Sequence, residues 1–136
     1  MLRKLMALLV SGAVVFASAD IVSLHSPLTP ETRGMISGAT LALMPAHAVL
    51  VNTSRGPLVV LADLLDALRE GRLAGAALDV FETETPDHAV FEGVPNLLLS
   101  PHTAFYSEAA VRESQTKAAT QIVKVLTGQT ADYRVN

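Results

Sequence analysis

The sequence predicts an α/β domain built on a parallel sheet with crossover helices. Short aliphatic, β-favouring runs each stop abruptly in polar residues, and amphipathic helical patterns fill the intervals between them. Half of the 136 residues are apolar while 17% are charged and 4% aromatic, enough aliphatic material for one compact core.

The elements follow in order. Leu2-Arg3-Lys4, the apolar run from Leu5 to Ala17 and the small residues Ala17-Ser18-Ala19 have the three parts of a secretory leader. The run is too short to span a bilayer as a helix, and its alternative reading is a buried helix or strand. Ile21-Val22-Ser23-Leu24 is a strand closed by His25-Ser26-Pro27, and Ala48-Val49-Leu50-Val51 is a second, closed by Asn52-Thr53-Ser54. Ala76-Ala77-Leu78 ends at Asp79, and Leu97-Leu98-Leu99 ends at Ser100-Pro101-His102. These runs are apolar on both faces, as parallel strands between two helical layers are. A short helix is expected around Thr40 to Leu43. Leu61, Leu64, Leu65 and Leu68 fall on one helical face, with Gly71 as the stop. Ser107 caps a long C-terminal helix with Glu108 in its first turn, an apolar side of Val111, Ala118, Ile122 and Val125, and Gly128 at its end.

Charge and composition exclude several functions. Ten Lys and Arg against thirteen Asp and Glu give a net charge of −3, with no basic block for nucleic acid. The absence of Cys removes disulfides and thiolate metal sites, and no two His residues have a close helical ligand spacing, so no metal is expected. The length is short for an enzyme that must hold both a cofactor and a substrate.

In open parallel sheets ligands bind beyond the carboxyl ends of the strands. Here those ends lead into His25 and Ser26, Asn52 to Arg55, Asp79 to Glu84, and His102. An Arg fork there can grip a substrate carboxylate, and a His can exchange a proton with a neighbouring oxygen. A carboxylate bonded to that imidazole would hold its orientation.

VSLHSPLTPETRGMI, VLVNTSRGPLV, LLDALREGRLAGAALDVFETE and LLLSPHTA resemble, in order and spacing, the second half of the cofactor domain of the D-isomer-specific 2-hydroxyacid dehydrogenases. The resemblance runs from about Asp20 to Leu126. It implies the C-terminal half of a Rossmann-type doubly wound sheet and hydride transfer between a nicotinamide cofactor and a 2-keto or D-2-hydroxy acid. HTAFYSEAAVRES also looks like the branch that includes the C-terminal binding protein corepressors, NAD(H)-sensing modules that bind protein partners.

By that resemblance Arg55 binds the substrate carboxylate, His102 protonates the carbonyl oxygen, and Glu84 is the carboxylate partnering His102, with Glu82 a solvated loop residue. Asp79 matches a position near the nicotinamide carboxamide. Ser26, Thr53, Ser54 and Arg55 match cofactor contacts, as does the stretch His102, Thr103, Ala104 and Phe105. His25 is open between a role near the cofactor and a structural bond at the strand end, while His47 and His88 are expected to face solvent.

The departures from the family pattern are also informative. No G-x-G-x-x-G occurs, so the usual pyrophosphate cradle and its acidic ribose partner are not in this sequence, and NAD is expected with NADP not excluded. Residues 1 to 19 are read as outside the family pattern and 20 to 136 as a partial dinucleotide-binding domain with a C-terminal helix and tail. Thr85 stands where the family has Pro, and Ala46-His47 replaces a Pro-Gly turn. The expected protein is a fragment-like chain with weak turnover or none, with a non-functional remnant as the alternative. An unpaired sheet edge, coverable by Leu5 to Ala17 or by a second chain, points to a homodimer. A cytoplasmic location is expected, with export through the leader-like segment as the alternative.

Overall fold

The structure is a computed structural model that describes residues 5–7, 16–83 and 85–133. The chain divides into two compact units, residues 1–104 and 105–136.

The first unit holds a five-stranded parallel sheet: β1 (Leu5–Ala7), β2 (Ile21–Leu24), β3 (Val49–Asn52), β4 (Gly75–Leu78) and β5 (Leu97–Leu99), in that spatial order. Four of these are the aliphatic runs read from the sequence, with β3 and β4 each displaced by one residue or less. β1 comes from the leader-like segment and pairs in parallel with β2, Leu5 opposite Ile21. The β2 edge is therefore covered from within the chain.

The register aligns the carboxyl ends. Leu24, Asn52, Leu78 and Leu99 lie side by side across β2 to β5. Val22, Leu24, Leu50, Asn52, Ala76 and Leu78 are buried on one face. The other face carries Ser23, Val51, Ala77 and Leu98, which range from half-buried to 69% exposed, so the two faces are unequally covered. Among the described residues burial alternates with period two along β2 and β3, although both faces carry apolar residues.

Helix α1 spans Gly38–Leu41 and α2 spans Leu61–Arg69, between 3₁₀ turns at Gly56–Leu58 and His88–Phe91. α2 buries Leu64, Leu65, Ala67 and Leu68 and ends through Gly71 at φ 66°, as its leucine spacing predicts. α1 begins earlier than expected because Ser37 and Thr40 form a reciprocal capping box. Its first N–H groups receive a second cap from another helix: Gly38 N–H donates to Asp63 Oδ2 at 2.6 Å. Removing that acceptor in Asp63→Ala is expected to cost about 1–2 kcal/mol in urea denaturation, an N-cap's usual worth.

Residues 34 to 36 brace the turn after β3. Gly34 and Ile36 donate to Pro57 and Leu58 carbonyls, and Val60 donates back to Ile36. Leu24, Ile36, Leu41, Leu50, Leu58, Leu64 and Leu68 gather in one buried core.

The second unit is dominated by α3 (Glu108–Leu126), capped by Ser107, whose hydroxyl accepts from Ala110 N–H at 3.1 Å. The Lys124 ammonium pairs with Asp132 at 2.6 Å. Of the expected apolar side of α3, Val111 is half-buried and Ala118, Ile122 and Val125 are exposed; Val123 and Leu126 are exposed as well. Among the described residues no helix is long and apolar enough to cross a membrane.

Candidate functional site

Three loops leave the aligned ends of neighbouring strands. β3 runs into Thr53-Ser54-Arg55, β4 into Asp79 to Thr83, and β5 into Ser100 to Ala104. They surround a cleft of about 550 Å³ lined by Arg55, Asp79, His102, Glu82, Thr83, Leu28, Gly56, Pro57, Val80, Phe81 and Pro101. Arg55 and His102, forty-seven residues apart in sequence, are thus brought to one hollow. Glu84 lies outside the described residues.

The Arg55 loop is closely fastened. Asn52 is fully buried and accepts from Ser54 N–H at 3.1 Å while donating from Nδ2 to the Arg55 carbonyl at 2.9 Å. The Ser54 hydroxyl donates to the Leu24 carbonyl at 3.0 Å, tying the loop to β2. Arg55 is exposed, and its Nη1 donates to the Ser54 carbonyl at 2.7 Å. Gly56 packs directly against the Phe81 carbonyl: a Cβ there would sit 2.6 Å from Glu82 N and closer still to Phe81. The loops after β3 and β4 therefore meet backbone to backbone.

Asp79 is 3% exposed, and both its oxygens are occupied within the protein. Oδ1 accepts from the Ser100 hydroxyl at 2.6 Å and Thr103 N–H at 2.8 Å, and Oδ2 accepts from Ala104 N–H at 2.9 Å. Burial opposes its ionisation, but the Ser100, Ala104 and Thr103 donors and the nearby His102 charge outweigh it and hold the carboxyl below its ordinary range. Asp79 is the peg on which the His102 loop hangs. His102 itself has φ 54°, in the left-handed region, a conformation costing about 1 kcal/mol that persists because the flanking bonds fix it.

The remaining expected residues are more dispersed. Ser26 is buried just past β2, and Thr53 is exposed. Thr103 and Ala104 contribute backbone N–H groups to Asp79. Phe105 belongs to the second unit, where its ring meets Tyr106 edge-on at 6.1 Å. His25 bonds Ser23 Oγ at 2.8 Å, the structural alternative, and exposed His47 pairs with Asp20 at 3.0 Å. His88 lines a second, more apolar hollow of about 340 Å³ with Phe81, Phe91 and Leu99. Sequence reading missed Asn52, Gly56 and Ser100 as builders of the site. The Asn-x-Ser-Arg-Gly turn was the available signal for the first two.

A parallel sheet with polar loops converging beyond its carboxyl ends is the ligand-binding arrangement of open α/β domains. The family model described as "D-isomer specific 2-hydroxyacid dehydrogenase, NAD binding domain" matches residues 4–104, starting inside the segment read as outside the family pattern. This chain belongs to that family. It is 42% identical over 118 residues to D-3-phosphoglycerate dehydrogenase of Methanocaldococcus jannaschii, covering 87% of this chain and 22% of that protein. It is also 42% identical over 120 residues to glyoxylate reductase of Thermofilum pendens, covering 87% of this chain and 35% of the relative. The NAD-complexed D-isomer specific 2-hydroxyacid dehydrogenase of Lactobacillus delbrueckii ssp. bulgaricus superposes with a TM-score of 0.83 at 33% identity, over 93% of this chain and 43% of that one. A D-lactate dehydrogenase from Sporolactobacillus gives 0.86 at 34% identity, over 93% and 42%. The chain spans between a fifth and under half of the length of these relatives.

The lining of the cleft suits a planar ring such as a nicotinamide. Leu28, Pro57, Val80 and Phe81 offer apolar walls to a planar ring, and Arg55 and His102 add polar groups at its rim.

Proposed function

We propose that this chain forms the acid-gripping and proton-handling part of an NAD-dependent D-2-hydroxyacid dehydrogenase. The observation that carries this reading is the meeting of Arg55 and His102 on one cleft at the carboxyl edge of the sheet. In the proposed reaction the Arg55 guanidinium takes the substrate carboxylate in a two-pronged bond and polarises the adjacent carbonyl. The nicotinamide, when bound, donates or accepts the hydride at the 2-carbon. His102 gives a proton to the carbonyl oxygen as that carbon is reduced and takes it back in the reverse direction. Glu84 is assigned as the carboxylate that orients His102, and Ser26, Thr53, Ser54 and the 102–105 stretch as the cofactor's neighbours. Asp79, with both oxygens committed, serves the cofactor indirectly through the loop it holds. A small 2-keto acid substrate, a cytoplasmic setting and a homodimer complete the proposal. The relatives compared above carry dehydrogenase and reductase names, which favours this reading over a corepressor-like module.

Calorimetry with oxamate, a stable 2-keto-acid mimic, tests the Arg55 assignment on the chain itself. Arg55→Lys keeps the charge but loses the planar fork, so affinity is expected to fall about tenfold. Equal oxamate affinity in wild type and Arg55→Ala overturns the reading. NADH oxidation with glyoxylate, pyruvate or hydroxypyruvate tests His102: any turnover is expected to drop about 100-fold in His102→Ala.

A further inference from the structure

Asn52 is a buried amide that none of the catalytic roles above uses. It sits in the core with 0% exposure, where an apolar side chain of similar volume would pack without needing partners. Its carboxamide is spent entirely on the next three residues, accepting from Ser54 N–H and donating to the Arg55 carbonyl. That carbonyl also accepts from Leu58 N–H at 3.2 Å, so it is held from two directions. These bonds dictate the course of the backbone from Thr53 to Arg55, and with it the direction in which the Arg55 side chain departs. A leucine could fill the space but could not bend the chain.

We infer that Asn52 is a positioning residue for Arg55: its buried carboxamide shapes the turn that delivers the guanidinium to the cleft, and so sets carboxylate affinity without touching the ligand. The inference rests on the proposed role of Arg55 as the carboxylate grip, and its test separates the two.

Asn52→Asp is nearly isosteric. Ionised, it sets an oxygen against the Arg55 carbonyl, acceptor to acceptor; protonated, it regains an O–H donor. Burial raises such a carboxyl, so the two forms are accessible between mild acid and mild alkali. Asn52→Leu keeps the bulk and removes both bonds at every pH. The measurement is NMR of the ¹⁵N-labelled chain, following the order of the Arg55 backbone N–H and Nε–H groups without ligand, with Arg33, Arg69 and Arg72 as internal references. Oxamate titrations accompany it.

At pH 8 folded Asn52→Asp is expected to show a mobile Arg55 and oxamate affinity at least tenfold below wild type, both recovering towards wild-type values at pH 5. Asn52→Leu is expected to be impaired at both pH values. Wild-type Arg55 order in either folded variant at pH 8 overturns the inference, and so does unfolding of both variants, which would assign Asn52 to the fold alone. If wild type fails to bind oxamate, or Arg55→Ala binds it equally, the carboxylate role falls, while the ligand-free Arg55 signals still decide the positioning.

Discussion

Gly56→Ala is expected to lose about 3 kcal/mol of stability, the upper end for an overpacked site, and oxamate binding with it. The added methyl would occupy the place of the Phe81 carbonyl and press on Glu82 N. Both are backbone atoms, so no side chain can swing aside. Either the Arg55 turn lifts away from β4 or the segment from Phe81 is displaced, and each route separates groups that share the cleft. Gly71→Ala is the control. Gly71 also departs from ordinary geometry, at φ 66°, but nothing lies within 4 Å of its added methyl. Its cost is expected to be about 1 kcal/mol, with oxamate binding intact. Urea denaturation of the three proteins measures the difference; a Gly56→Ala protein as stable as Gly71→Ala would disprove the close approach.

Asp79→Asn is expected to destabilise the chain by about 2–3 kcal/mol at pH 7, although it changes a single atom. The amide nitrogen must face either Ala104 N–H or Thr103 N–H, and a donor meets a donor in both orientations. The charge also matters. Because the folded state holds the Asp79 carboxyl below its unfolded value, the charged form favours folding. That contribution is complete above the unfolded value of about 3.9 and disappears as pH falls through the lower folded value. The stability gap between wild type and Asp79→Asn should therefore be widest near neutrality and narrow below about pH 4. A gap that stays constant down to pH 2 would show that the carboxylate charge contributes nothing.

These two residues also show where sequence reading succeeds and where it stops. The strands from Ile21 onward are legible because β-branched and leucine-rich runs end in His, Asn, Asp and Ser, and the sheet's carboxyl edge is legible with them. The segment Leu5 to Ala7 is ambiguous, since leucine, methionine and alanine serve a leader, a helix or an edge strand equally well; only the pairing with β2 decides. Arg55 and His102 are visible as motif residues. The Asn52 turn could have been read, because its bonds span two and three residues. Asp79's partners lie 21 to 25 residues away and depend on strand register, which no local pattern encodes. The apolar side of α3 is readable as a pattern, but what covers such a face is a tertiary fact.

The placement of β5 has a kinetic consequence. It is a three-residue strand at the end of the sheet, with Leu98 69% exposed, whereas β3 is flanked on both sides. Local opening is therefore expected at β5, whose following loop is tied to Asp79, sooner than at β3, which leads into Arg55. The loops carrying Arg55 and His102 are then expected to have separate opening free energies. Amide exchange should register this as lower protection at Ser100, whose N–H donates to the Leu78 carbonyl, and at Thr103 than at Leu50 and Val51. Under the proposed roles, the proton-transfer arm would then come and go while the anion grip stays assembled.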